Sequence, residues 1–268
     1  MPLHPDIIAN IAHELEIAER DRVQRRQISL DYPDMTIDDA YAVQHAWMAL
    51  KASQGRKVIG YKIGLTSKAM QRASSISEPD TGVLLDDMRI ESGATLEASR
   101  FIEPRIEVEL SFLLKSDLPA SGCTIKEVLE ATDYVIPALE LIDARVPRID
   151  PDSGKTRKVF DTISDNAANG AIILGTTKVK PDSVDLKWVS ALLYRNGDIE
   201  ESGVAAAVLG HPANGIVWLA NQLATQGETL RAGQIVLAGS FTAPVPAQAG
   251  DCFVADYGPL GLIEVNFI

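Results

Sequence analysis

The stretch from Tyr134 to Ile142, YVIPALELI, is apolar almost without a break. On a strand, Ile136, Ala138 and Ile142 share one face, while Val135, Leu139 and Leu141 share the other, so both faces need cover. Such a strand belongs in the middle of a sheet with further layers around it, and the rest of the chain has to supply them. Glu140 is the exception within the run. An ionised carboxylate buried there is costly unless a cation or several donors compensate it, so Glu140 needs a partner, either an arginine in a structural salt bridge or a metal ion.

The chain on either side changes period. From Asp6 to about Arg26, Ile7, Ile11, Leu15 and Ala18 recur at helical spacing with charges between them, which predicts an amphipathic helix. Thr36 with Asp39 three residues later reads as a shortened capping box for a second helix, whose apolar face is Ala40, Val43 and Trp47 and which Gly55 ends. From Val58 the period becomes two: Tyr61, Ile63 and Leu65 alternate with Lys62, Gly64 and Thr66, the pattern of a strand. Pro79-Asp80-Thr81-Gly82 reads as a turn, and strands then dominate, at Arg105–Phe112, Tyr134–Ile142, Ala171–Leu174, Gln234–Leu237, Asp251–Tyr257 and Leu262–Phe267. Asn196-Gly197 predicts a two-residue hairpin turn, and Pro212 to about Ala224 a third helix. Helices first and then mostly strands, without regular βαβ alternation, predict an α+β protein. Neither a G-x-G-x-x-G nor a P-loop pattern occurs, so a nucleotide cofactor is not supported.

Charge narrows the partners. The 268 residues contain 25 Lys and Arg against 37 Asp and Glu, a formal charge of −12, and no basic run offsets it. Nucleic acid and anionic membrane are therefore poor partners. No apolar run reaches bilayer length, and the acidic, amphipathic N-terminus lacks the basic and apolar regions of a signal peptide. Cys123 and Cys252 match neither a zinc spacing nor a disulfide framework, and the cytoplasm is the expected compartment.

Three carboxylates attract most interest. Glu107 and Glu109, in RIEVELSF, leave the same face of a strand and can converge on one cation, although a plainly solvated face has the same alternation. Together with Glu140 they suggest an all-oxygen site for a hard ion, Mg²⁺ or Mn²⁺. Lys62 is flanked on its own face by Gly60 and Gly64, which leaves room for a ligand to approach; the alternative is an exposed lysine on an edge strand. Asp80 is open to the same two readings, since Asp is a routine turn residue. The segment KVFDTISDNAANGA concentrates Asp161, Thr162, Ser164, Asp165, Asn166 and Asn169, which predicts a fixed polar loop or an Asx-rich turn network. The four histidines are dispersed, which disfavours a His-based metal site.

The combination GYKIGLTS, EPRIEVELSFLL, DYVIPALELIDAR, FDTISDNAANGAIILG, RNGDIEESG and LRAGQIVLAGSFTAPVPAQAGDCFVADYGPLG resembles the fumarylacetoacetate hydrolase superfamily over nearly the whole chain. Within it, the fit is to the hydratase and decarboxylase branch of meta-cleavage aromatic degradation, and ISLDYPDMTIDDAYAVQ adds a likeness to members serving homoprotocatechuate breakdown. The resemblance implies a helical N-terminal portion, residues 1–75, and a β-rich catalytic domain with mixed sheets, residues 76–268. It implies a divalent metal, Mg²⁺ or Mn²⁺, on Glu107, Glu109 and Glu140, and catalytic roles for Lys62 and Asp80. Leu65, Ser164, Ser240 and Thr242 would border the substrate, a small unsaturated 2-oxo acid. The implied reaction is hydration to a 4-hydroxy-2-oxo acid, with decarboxylation of a related 2-oxo acid or hydration of the shorter 2-oxopent-4-enoate as the alternatives and a catalytically silent partner subunit as the non-enzymatic one. The implied assembly is a homo-oligomer of dimers, a decamer among the options. The catalytic histidine dyad of the hydrolytic members has no obvious counterpart here.

Overall fold

The computed structural model describes residues 2–67, 71–72, 76–119 and 121–268. Helix α1 (Pro5–Asp21) buries Ile11, Ala12, Leu15 and Ala18, and Arg22 ends it in the left-handed region at φ 57°, short of the expected Arg26. A single turn, α2 (Ile28–Asp31), precedes α3 (Ile37–Ser53). The capping box of α3 forms as predicted: the Asp39 N–H donates to the Thr36 hydroxyl, and the Thr36 N–H donates to the Asp39 carboxylate. Helices α1 and α3 pack against each other, and Trp47 Nε1 donates to Glu16 at 2.9 Å between them.

Two sheets follow. The larger has the order β2 (Asp80–Leu85), β1 (Val58–Gly64), β10 (Ile235–Leu237), β5 (Arg105–Leu114), β6 (Thr132–Ile142), β7 (Asn169–Leu174), β3 (Arg89–Glu91), with β11 (Val245–Pro246) also paired to β5. The β1/β10 and β3/β7 pairs are parallel and the others antiparallel. The smaller sheet runs β4 (Ala94–Leu96), β13 (Leu262–Phe267), β12 (Cys252–Asp256), β8 (Ser190–Arg195), β9 (Asp198–Val204). The main core lies between the sheets: Val108, Leu110 and Phe112 of β5 and Leu139 of β6 pack in one cluster with Leu193, Phe253, Ile263 and Val265 of the smaller sheet. Helix α6 (Pro212–Thr225) joins this core through Ile216, Leu219 and Leu223.

The other face of the large sheet is concave. Leu84 on β2 and Ile172 on β7 share one apolar cluster with Ile136, Ala138, Ile235 and Leu237, although four strands separate β2 from β7 in the sheet. The sheet therefore curls until β2 approaches β7. Asn166 closes the gap, accepting from the Val83 N–H at 2.7 Å and donating to the Val83 carbonyl at 2.9 Å, as a neighbouring strand's peptide would. The outward residues Val83 and Leu85 of β2 pack on α1 and α3. Residues of β1, β2, β5 and β6 that alternate inward line the trough so formed.

Some local expectations need correction. Pro79–Gly82 is no turn: Asp80 opens β2, and Thr81 and Gly82 pair with Ile63 and Lys62 of β1. Gly82 is small for a packing reason, because a β-carbon there would press on the Asn166 carbonyl. The polar segment after Lys158 is not simply a loop. It begins as α5 (Val159–Ser164) and turns through Asn166, Ala167 and Ala168, all left-handed at φ 50–56°. Helix α4 (Ile125–Ala131), capped by Thr124 and Glu127, escaped the sequence reading. The Asn196-Gly197 hairpin and α6 form where expected.

Candidate active site

The register of β5 and β6 sets Glu107 directly opposite Glu140, with Glu109 two residues further along the same face. One carboxylate oxygen from each of the three lies within 4.8 Å of the others. Glu109 and Glu140 are buried, and Glu107 is half-buried. Lys62 reaches in from β1, two strands from β5, and its Nζ lies 3.0 Å from Glu140 Oε1. The lysine is only 4% exposed. Asp80, opposite Gly64 at the start of β2, completes the group. A β-carbon on Gly64 would collide with the Asp80 carboxylate and sit 3.4 Å from Lys62 Nζ, so the glycine keeps that space for the two functional groups.

Other segments brace the cluster. The Gly239 N–H donates to Glu109 Oε2 at 2.9 Å, and Gly239 itself sits at φ 117° against Thr66. Tyr257 places its hydroxyl 2.6 Å from the Ala138 carbonyl and 2.9 Å from the Glu109 carbonyl, bridging β5 and β6 beside the carboxylates. Thr242 Oγ1 accepts from the Val108 N–H at 3.1 Å, and Ser240 Oγ lies 2.9 Å from the Thr242 carbonyl and 3.3 Å from that of Val108. Both hydroxyls thus hold the strand between Glu107 and Glu109. Ser164 is buried at the end of α5 with its hydroxyl unpaired. Leu65 follows β1 in a left-handed conformation, φ 56°, and packs on the helical side with Val159 and Ile163. Five of the residues singled out from sequence, Lys62, Asp80, Glu107, Glu109 and Glu140, thus converge; Ser240 and Thr242 brace the strand that carries two of them, while Ser164 ends α5 and Leu65 packs on the helical side.

Sequence reasoning missed Gly239, Tyr257 and Arg145, which act from distant segments. Arg145 is 1% exposed. Its Nε donates to Asp165 Oδ1 at 2.6 Å, Nη2 to the Asp165 carbonyl at 2.7 Å, and Nη1 to the carbonyls of Asn169 and Asp143; its guanidinium stacks on Trp47 at 4.9 Å. The buried pair fixes the left-handed turn between Ser164 and β7. The only legible signal was an arginine in an otherwise apolar-flanked ELIDARV.

Four carboxylates face one ammonium in this space, and the imbalance shows in their protonation. Burial, reinforced by Glu140, pushes Glu107 up to about 8. Burial likewise raises Glu109 well above the usual carboxylate range, and raises Asp80 against the pull of Lys62. Burial opposes the charge on Lys62, but Glu140 and the other acids outweigh it and hold its pKa above that of an ordinary lysine. Glu109 Oε1, Glu140 Oε2 and both oxygens of Asp80 are sealed from solvent without a hydrogen-bond donor, and Glu140 Oε1 meets the Lys62 ammonium. Bare buried carboxylate oxygens that converge on one point, with no nitrogen or sulfur ligand, fit a hard divalent cation.

Comparison with known proteins agrees with this geometry. The model of the fumarylacetoacetate (FAA) hydrolase C-terminal family matches residues 34–267. The chain is 61% identical over 258 residues to 2-oxo-hept-4-ene-1,7-dioate hydratase of Escherichia coli, covering 96% of this chain and 97% of that one. It is 39% identical to 2-keto-4-pentenoate hydratase of Paraburkholderia xenovorans LB400, covering 88% and 86%. The solved structure of 4-oxalocrotonate decarboxylase from Pseudomonas putida G7, complexed with magnesium and adipate, superposes with a TM-score of 0.94 at 34% identity over 99% of both chains. With the family model spanning most of its length and a relative 61% identical along nearly all of it, the chain belongs to the fumarylacetoacetate hydrolase family.

Proposed function

We propose that this chain is a divalent-metal-dependent hydro-lyase that adds water to 2-oxo-hept-4-ene-1,7-dioate in the homoprotocatechuate branch of aromatic degradation, giving a 4-hydroxy-2-oxo acid. The convergence of Glu107, Glu109 and Glu140 beside Lys62 and Asp80 carries this proposal, and the 61% identity to the Escherichia coli hydratase supports the choice of substrate. The three glutamates would hold Mg²⁺ or Mn²⁺, which when bound supplies Lewis-acid stabilisation for the charge that develops on the 2-oxo oxygen.

The side chains of this chain account for the rest. A proton leaves C3 and one arrives at C5, bringing the double bond into conjugation with the 2-oxo group; water oxygen then joins C4 and a proton returns to C3. Lys62, held as an ammonium by its acidic neighbours, faces the developing enolate charge and can donate. Asp80 is the candidate base, since both its oxygens are free and its pKa is raised towards the working range. The unpaired Ser164 hydroxyl is available to orient the 2-oxo acid or the incoming water, and Leu65 would close the apolar side. Ser240 and Thr242 border the substrate while holding the glutamate strand in place.

Among the described residues no helix is long and apolar enough to cross a membrane. We place the enzyme in the cytoplasm as a homo-oligomer of dimers. Incubating purified, Mg²⁺-loaded protein with the heptenedioate and with 4-oxalocrotonate, and identifying products by NMR, tests the activity. A hydrated product from the first acid is expected. Release of CO₂ from the second without hydration of the first would replace the hydratase with a decarboxylase.

A further inference from the structure

Arg105 opens β5 two residues before Glu107, and the unbroken register with β6 sets it opposite Ile142. Alternation places it on the face that carries Glu107 and Glu109, while Ile106 and Val108 turn into the core between the sheets. The trough is therefore graded along its length. One end is apolar, with Ile136, Ile235 and Leu237; the carboxylates and Lys62 hold the middle; Arg105 stands beyond Glu107 at the other end. Glu109 and Glu140 are buried and Glu107 only half-buried, so the carboxylate nearest Arg105 on the strand is also the one that solvent reaches.

No acid of the chain is paired with this arginine. Among the described residues, Arg105 is the one partly buried arginine with neither an ion pair nor a side-chain hydrogen bond. Arg25 and Arg195 each hold an acid, and Arg157 donates to the Val146 carbonyl. The residues opposite Arg105 in the sheet, Ile142 on β6 and Pro246 on β11, offer no charge. Arg105 also lines a cleft of about 760 Å³ between the segment that follows α1 and the loop that follows β6. Within the cleft, Arg26 is occupied by Asp31 at 2.8 Å, and Asp150 accepts from Ser153 of its own loop. Arg148 lies on the exposed rim. Trough and cleft thus share one residue, and it is an uncommitted guanidinium.

The spacing suits a second carboxylate on the substrate. Five bonds separate C2 from C7 in the heptenedioate, about 6 Å in an extended chain. The step from Glu107 to Arg105 covers about 7 Å of strand. With the 2-oxo acid end at the glutamates, the C7 carboxylate comes within reach of a guanidinium whose fork can take both its oxygens. Resting on the hydratase assignment above, we propose that Arg105 receives the distal carboxylate of the dioate at the mouth of the cleft and selects dicarboxylic over monocarboxylic 2-oxo acids. It touches the end of the substrate remote from the reacting carbons, so it is a specificity residue and takes no part in proton transfer.

The test uses two unreactive saturated acids that differ only in the distal group, 2-oxoheptanedioate and 2-oxoheptanoate. Their binding to the Mg²⁺-loaded protein is measured by calorimetry, beside turnover of the heptenedioate and of 2-keto-4-pentenoate. Wild type should favour the dioate by roughly 10- to 100-fold, as a charge-assisted hydrogen-bonded pair supplies. Arg105→Met should bring the two acids within about threefold and raise KM for the heptenedioate more than for 2-keto-4-pentenoate, while Arg105→Lys restores part of the preference. Arg148→Met, across the same cleft, should keep most of it. A wild type without preference, an Arg105→Met variant that retains it, or an equal weakening of both acids, the mark of a general pull on anions, would overturn the proposal. So would a preference that Arg148→Met removes as fully. A preference lost only at Arg105 in a protein that hydrates nothing would refute the hydratase assignment and support the carboxylate receptor.

Discussion

Lys62 shows how a single side chain can be both buried and charged. Gly64 removes competing bulk from beside it, Gly60 lets β10 approach, and the nearest charged atom is a carboxylate oxygen of Glu140 at 3.0 Å. Replacing Lys62 with Ala should lower kcat by about 10²- to 10⁴-fold, the range for loss of a proton-transfer group, while Mg²⁺ still binds to the three glutamates. Calorimetric Mg²⁺ titration and steady-state kinetics on one preparation check both halves. An unchanged kcat would return Lys62 to a structural role. Glu140 and Glu107 should part company in stability. Glu140 is fully buried and holds Lys62, whereas Glu107 lies half-buried, so in metal-free buffer Glu140→Gln should cost about 1–3 kcal/mol and Glu107→Gln distinctly less by urea denaturation. The carboxylates and Lys62 were legible in the sequence because a glutamate in an apolar strand and a lysine between glycines each break a local pattern. Tyr257 and Gly239 break none. Their role comes from meeting Glu109 across more than a hundred residues of chain, and no spacing rule reports that.

At the level of elements, the sequence separated helices from strands wherever an amphipathic period ran long enough, as in α1, α3 and α6. It failed where tertiary pairing overrode a local preference. Pro79-Asp80-Thr81-Gly82 has turn chemistry, yet β1 offers it a full antiparallel ladder and the strand wins. The left-handed turn of Asn166–Ala168 is the opposite case, since two alanines adopt a conformation they disfavour. Arg145 and Asp165 overdetermine it. Arg145→Met should therefore cost about 3–5 kcal/mol, because Asp165 and several carbonyls lose their buried donor. The double variant with Asp165→Asn should recover part of that loss, a coupling of about 1–3 kcal/mol in a double-mutant cycle. Simple additivity of the two single variants would show that the pair is not what holds the turn.

For the whole molecule, the formal charge of −12 includes a buried share that a bound cation would relieve. Mg²⁺ binds the folded chain and not the unfolded one, so at about 100 times Kd it should add about 2.7 kcal/mol of stability. For a protein of this size that corresponds to a rise in Tm of roughly 5–10 °C, reversed by EDTA. A melting curve indifferent to both additions would argue against a metal centre on these glutamates.

The order of strands across the large sheet has a consequence for how the enzyme is made. Lys62 and Asp80 arrive on the β1–β2 hairpin and the three glutamates on the β5–β6 hairpin, and the three residues of β10 splint the two, with Leu237 paired to Lys62 on one side and to Ser111 on the other. Lys62, Asp80 and the three glutamates have all left the ribosome about a hundred residues before β10 does. The nascent chain therefore carries the full chemical inventory of the site without its geometry, and a cluster of unshielded carboxylates must wait for a late, short strand to lock it. Catalytic competence in this fold therefore waits on β10.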